Sequence, residues 1–203
     1  MESAAAFVAA AALAWGSGLR LYAVVFCTGL AQRLGWVELP GELSALAGEP
    51  FLLASGILLL GEFLADKVPV FDSLWDGLQT FARVPGGMAL AWAALGDQGP
   101  AMQALAALLG GGVAGLTHLG KSGARLAVNH APEPFTNWTL SLAEDGLVLF
   151  GLWLAWQHPW LFLGLLLGFL LVLLWLLPRL WRVARSLLGR LARRIRPAQP
   201  SRP

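Results

Sequence analysis

From Pro159 to Leu177 the chain runs without a single charged side chain. At 1.5 Å rise per residue, such a run is long enough to cross the roughly 30 Å hydrocarbon core of a bilayer as one helix. Once inside lipid, a helix must satisfy its own backbone, which leaves few ways for the rest of the chain to fold. Composition extends the same constraint to the other segments. The 203 residues are 57% hydrophobic and 13% charged, where a soluble domain carries roughly 25% charged residues. Mean hydropathy is +0.66. The class is therefore all-α: a polytopic transmembrane helix bundle of about six spans, with a single membrane domain over residues 1–178.

The apolar pattern is stated twice. Ser17-Gly18-Leu19-Arg20-Leu21 returns as Ser122-Gly123-Ala124-Arg125-Leu126. Glu49, followed after six residues by Gly56, returns as Glu144 and Gly151. Val68-Pro69 returns as His158-Pro159, each proline opening a helix-length segment. The expectation is an internal repeat, copy one about 1–98 and copy two about 101–178. An odd number of spans per copy inverts the second, as in many small transporters built with broken or re-entrant helices.

Local signals place the breaks. Gly16-Ser17-Gly18 interrupts a first segment, Ala4 to Leu34, as a kink or as the junction of two half-helices. The stretch Trp36 to Gly48, with Pro40 and two glutamates, reads as a surface connection. Pro50 to Ala65 forms a second span. Pro85-Gly86-Gly87 breaks the amphipathic segment that follows it. Thr136 or Asn137 caps the helix that runs to Gln157. Glu2, and no cation, precedes the apolar run at Ala4, so the first helix reads as uncleaved rather than as a signal peptide. Cys27 is the only cysteine, which leaves no intrachain disulfide.

Charge is distributed unevenly. Residues 179–203 hold eight arginines and no acid. Cytoplasmic flanks are rich in Lys and Arg, so the C-terminus is expected on the cytoplasmic side of a bacterial inner membrane. Leu180 to Ile195 reads as a basic amphipathic helix. In the tail, residues 179–203, Arg179, Arg182, Arg185, Arg190, Arg193, Arg194 and Arg196 would meet anionic headgroups. Nucleic acid is not an expected partner, because positive-inside already accounts for the arginines beside a span. The short length makes a homodimer a reasonable expectation.

Within the spans, each charged group costs roughly 2.5–3.5 kcal/mol at the bilayer centre and needs a partner, a wet cavity or a task. Glu62 and Asp66 share a helical face, as do Asp72, Asp76 and Arg83. Like charges four apart repel, so these acids call for a proton, a cation or a basic partner. His118, Lys121, Arg125 and Asn129 form one stripe if Gly120 and Gly123 permit a single helix. Glu49 suits a helix N-terminus. Glu144, with Asp145, lies deeper in its helix and is the best candidate for a carboxylate that handles protons or cations. Asp72-x-x-x-Asp76-Gly77 is a weak match to the metal-binding aspartates of membrane enzymes acting on lipid phosphates, since no second such motif follows. Three scattered histidines make no zinc site. No cofactor is implied.

These stretches resemble a known family. Ser17 to Arg20, Glu62 to Pro69 with Asp72 and Asp76, and His118-x-x-Lys121-x-x-x-Arg125-x-x-x-Asn129 are similar to bacterial integral membrane proteins of the domain-of-unknown-function family 4126. Pro132-Glu133-Pro134 with Asn137 and Glu144-Asp145 completes the likeness, which spans about residues 10–180. The resemblance implies a membrane protein and no particular activity. The expected function is a small transporter or channel-like permease for an ion or small polar solute. Its charged site would be formed by Arg20, Glu62, Asp66, Asp72, Asp76, His118, Lys121, Arg125, Asn129, Glu144 and Asp145. The alternatives are a metal-dependent membrane enzyme acting on lipid phosphates and a non-catalytic scaffold. An accessible pocket at the repeat interface separates the transporter from the scaffold.

Overall fold

A computed structural model of the chain describes residues 2–65, 69–128 and 134–195, with side chains over 4–65, 75, 77–125 and 138–179. Among these residues the regular elements are six α-helices and two short 3-10 turns. The helices are α1 Glu2–Arg33, α2 Glu49–Ala65, α3 Pro69–Ala94, α4 Pro100–Val128, α5 Pro134–Gln157 and α6 Pro159–Ile195. The 3-10 turns are Gly41–Ala47 and Gly96–Gln98.

The first helix is the hub. The apolar window of α1 is 83% buried, against 17% for that of α6, and α1 packs on every other helix. Its small residues make this density possible. Ala12, Leu13, Ala14 and Val24 are fully enclosed. Trp15 meets Phe162 of α6 edge-on, with ring centroids 5.9 Å apart, in the geometry the aromatic quadrupole favours. Gly18 has no Cβ to collide with the Ala114 carbonyl and the Thr117 side chain, so α1 and α4 approach backbone to backbone. Small residues serve helix contacts in this way within lipid, where no hydrophobic drive remains between helices.

Four described helices are long and apolar enough to cross a membrane: the spans Ala4–Arg33, Pro100–Arg125, Trp138–Gln157 and Pro159–Arg179. The turn Gly41–Ala47 together with α2, bent by 70°, makes a fifth candidate. This is short of the expected six because α3, at about 39 Å long enough to span, spends one face on polar groups. It is nonetheless a member of the bundle, lying along α1 and α4. The outer face of α2 is apolar and open, with Leu53, Ile57, Leu60 and Leu64 exposed, while Ser55 and Glu62 face inward.

The backbone differs from the sequence reading at five places. The break in α1 falls at Arg20 (φ −148°, ψ 78°) and not at the glycines before it. The helix α3 passes through Pro85. Gly86 and Gly87, read as part of a stop, are contact points where Leu21, Ala114 and the Ser17 hydroxyl come close. The lost proline hydrogen bond is thus offset by packing against two neighbours. The connection 36–48 is not a surface loop, since Leu39, Leu43 and Leu46 are buried in it. Gly29 is what admits the Leu46 carbonyl. Helix α5 starts at Pro134 instead of at a Thr136 or Asn137 cap, because proline at the first helical position has no N–H to lose. Helix α6 continues through Pro178 to Ile195 as one piece, so the basic tail is an extension of the last span.

Candidate functional site

Because α4 is unbroken through Gly120 and Gly123, His118, Lys121 and Arg125 do share one stripe, and all three are buried. Two charged centres form along that stripe.

The first is built around Glu144 of α5. Arg125 donates from Nε to Oε1 at 3.2 Å and from Nη2 to Oε2 at 2.9 Å. Lys121 Nζ lies 3.0 Å from Oε2, and Arg20 Nε is 3.7 Å away on the α1 side. Asp145 Oδ1 forms an ion pair with Arg20 Nε at 3.0 Å, and Arg20 Nη2 donates to the Ser141 hydroxyl and, at 3.3 Å, to the Ser141 carbonyl. The break in α1 belongs to this centre. Beside it, the Leu19 carbonyl accepts from Lys121 Nζ at 2.9 Å, an interruption of the helical ladder by a side chain from a neighbouring helix. Arg20, Lys121 and Arg125 thus meet two carboxylates across three helices. Only Asp145 reaches the exterior appreciably, its side chain 29% exposed.

The second centre joins α2, α3 and α4. Arg83 Nη2 donates to Glu62 Oε1 at 2.6 Å, both side chains wholly buried. Arg83 Nη1 lies 3.0 Å from His118 Nδ1. A guanidinium can only donate, so Nδ1 accepts and the imidazole is the neutral tautomer with its proton on Nε2. That nitrogen faces Thr80 Oγ1 at 2.7 Å. Glu62 Oε2 has no hydrogen-bond partner among the described residues. The centre is tied to α1 through Ser17, whose hydroxyl donates to the Ala14 carbonyl at 2.8 Å and lies 3.5 Å from that of Arg83.

Of the residues expected to form the site, Arg20, Lys121, Arg125, Glu144 and Asp145 meet in the first centre, and Glu62 and His118 in the second. The side chains of Asp66, Asp72, Asp76 and Asn129 lie outside the described residues, as do those of Arg182, Arg185, Arg190, Arg193, Arg194 and Arg196. The lipid-phosphate enzyme reading, which depends on the three aspartates, therefore gains no support here. Among the described residues no group of three or more His, Cys, Asp or Glu is placed to hold a metal. Arg179 sits 3.3 Å over the Trp175 ring and donates to its carbonyl.

Arg83, Ser141 and Thr80 were not among the expected site residues. Arg83 was signalled by its spacing from Asp72 and Asp76. Ser141 was signalled by lying three residues before Glu144, on the same face of α5. Thr80 had no signal of its own. Four cavities of the bundle are lined mainly by apolar residues and by no residue of either charged centre, so the expected pocket at the repeat interface is not among them. One of 480 Å³ lies among α1, α2 and α3 beside Tyr22, Leu43 and Ser55, and one of 290 Å³ lies beside Cys27 and Thr28.

A family model described as "Domain of unknown function (DUF4126)" matches residues 7–179, and the chain belongs to that family. No curated protein and no solved structure matches it.

Proposed function

We propose that this member of the DUF4126 family is a small transporter or channel-like permease that passes an ion or small polar solute through the Glu144 centre. The observation that carries the reading is full burial of Arg20, Arg83 and Glu62, each 0% exposed, inside a bundle of membrane-length helices. Desolvating ion pairs is expensive, and apolar residues of similar volume would often stabilise a bundle as well or better. Charges retained within transmembrane helices mark ion and solute pathways by default. The centre also draws on both halves of the chain: Arg20 comes from the first, and Lys121, Arg125, Glu144 and Asp145 from the second. That is the placement expected of a site between two inverted copies.

The protein sits in a bacterial cytoplasmic membrane with its arginine-rich C-terminus on the cytoplasmic side. The eight arginines of residues 179–203 support this orientation, and reporter fusions at the C-terminus test it. Function is tested by flux of ions and small metabolites into liposomes holding purified protein. Wild type is expected to pass at least one of them and Glu144→Gln to pass it at least about tenfold more slowly, equivalent to roughly 1.4 kcal/mol on the transport barrier. Equal background leak of all candidates through both proteins would sink the proposal.

A further inference from the structure

We infer that the Glu144 centre is a small-carboxylate site, occupied in this structure by the chain's own side chain and open to a solute carboxylate during transport. The inference rests on the permease reading and adds the class of solute. Three features of the geometry point to it. Arg125 addresses both oxygens of one carboxylate in parallel, Nε to Oε1 and Nη2 to Oε2, which is the fork-to-fork match that selects planar two-oxygen anions over spherical ones. Lys121 and Arg20 converge on the same oxygen from two other directions, so the cations come from α1 and α4 while the carboxylate alone comes from α5. Asp145, the next residue, contacts the same arginine and is partly exposed, which places the buried carboxylate one side chain from the exterior.

The hypothesis has a direct chemical test. Replacing Glu144 by alanine removes Cγ, Cδ and the two oxygens, the four heavy atoms of acetate. Purified Glu144→Ala in detergent is expected to melt below wild type. Acetate should return part of that loss saturably, because a ligand that binds only the folded state raises its stability with concentration. Chloride should do less and methylammonium nothing, and wild type should respond little, its site being filled.

Should Glu144→Ala be obtained only when acetate is present during purification, that dependence supports the site equally. If it cannot be obtained at all, Glu144→Ser decides. It removes the carboxyl carbon and both oxygens, the three heavy atoms of formate, and leaves the Arg125 fork, Lys121 and Arg20 facing that space, so it should melt several degrees higher in formate than in gluconate, and wild type should not. Absence of anion-dependent melting in every variant that folds overturns the inference, whatever flux is measured.

Uptake of labelled acetate into liposomes separates the two proposals. Acetate rescue without flux of any solute leaves the carboxylate site standing and removes the permease reading. Cation flux with no rescue does the reverse.

Discussion

Arg125 holds Glu144 by two parallel hydrogen bonds, 3.2 Å and 2.9 Å long, both in the interior of the bundle. Lysine cannot reproduce that fork, since it offers a point charge on a flexible stem. Arg125→Lys is therefore expected to behave as a damaging substitution, lowering the melting temperature although the charge is kept. Arg125→Gln should cost about 3–5 kcal/mol, the usual cost of removing one partner of a buried pair. Because each single substitution already removes the same Arg125–Glu144 contact, the double variant Arg125→Gln/Glu144→Gln should be less damaged than the sum of the singles. A coupling of about 1–3 kcal/mol is expected. Denaturation of the four proteins in one detergent measures it.

Glu62 and Arg83 behave differently, because each is sealed from the exterior and Glu62 Oε2 has no partner among the described residues. Either single apolar replacement, Glu62→Leu or Arg83→Met, strands an opposite charge and should cost about 3–5 kcal/mol. The double replacement removes both charges and should lie closer to wild type than either single. If the double variant is instead the least stable of the set, the pair contributes to folding beyond its mutual neutralisation.

His118 accepts from Arg83 with Nδ1 and faces Thr80 with Nε2, so its two nitrogens can be replaced one at a time. Asparagine places an oxygen near Nδ1 and keeps the acceptor for Arg83. Glutamine places its amide nitrogen near Nε2 and keeps only the donor to Thr80. Since the buried guanidinium has more to lose from an absent acceptor than the exposed Thr80 has from an absent donor, His118→Asn should be the milder change. The difference should be about 1–3 kcal/mol, the cost of stranding a buried polar group. Thermal melts of the two variants check the order.

How much of this was legible follows from how local each feature is. The stripe His118, Lys121 and Arg125 was readable because helical periodicity alone sets which residues share a face, and α4 proved continuous. Glu144 stood out because it lies too deep in α5 to be a helix-terminal acid. Arg83 was harder: its partners sit on α2 and α4, and nothing in its own neighbourhood names them. The glycines after Pro85 read as a helix stop because their close packing against α1 and α4 is invisible until those helices are in place. The break of α1 was misplaced by a few residues for the same reason, since Lys121, distant in sequence, takes the Leu19 carbonyl beside it. The span count differed because hydropathy measures lipid affinity, whereas Gln79 and Arg83 of α3 are covered by protein.

The glycines of the helix interfaces divide into two kinds with opposite expected signs. A Cβ on Gly18 would run into the Ala114 carbonyl and lie 2.7 Å from the Thr117 Cβ. Neither is the free end of a flexible side chain, so α1 and α4 would have to separate where Arg20 and Lys121 are positioned. Gly18→Ala is expected to destabilise by about 1–3 kcal/mol, as overpacking does in a dense interior. It should also slow any flux through the Glu144 centre, because the α1 break moves with the helix. Gly112 meets nothing within 4 Å and lies mid-helix in α4. There alanine removes backbone freedom from the unfolded chain without a clash, and Gly112→Ala should stabilise by about 0.5–1 kcal/mol. Melting both variants beside wild type tests the pair. A Gly18→Ala protein as stable as wild type would mean that the α1–α4 contact is looser than the geometry shows.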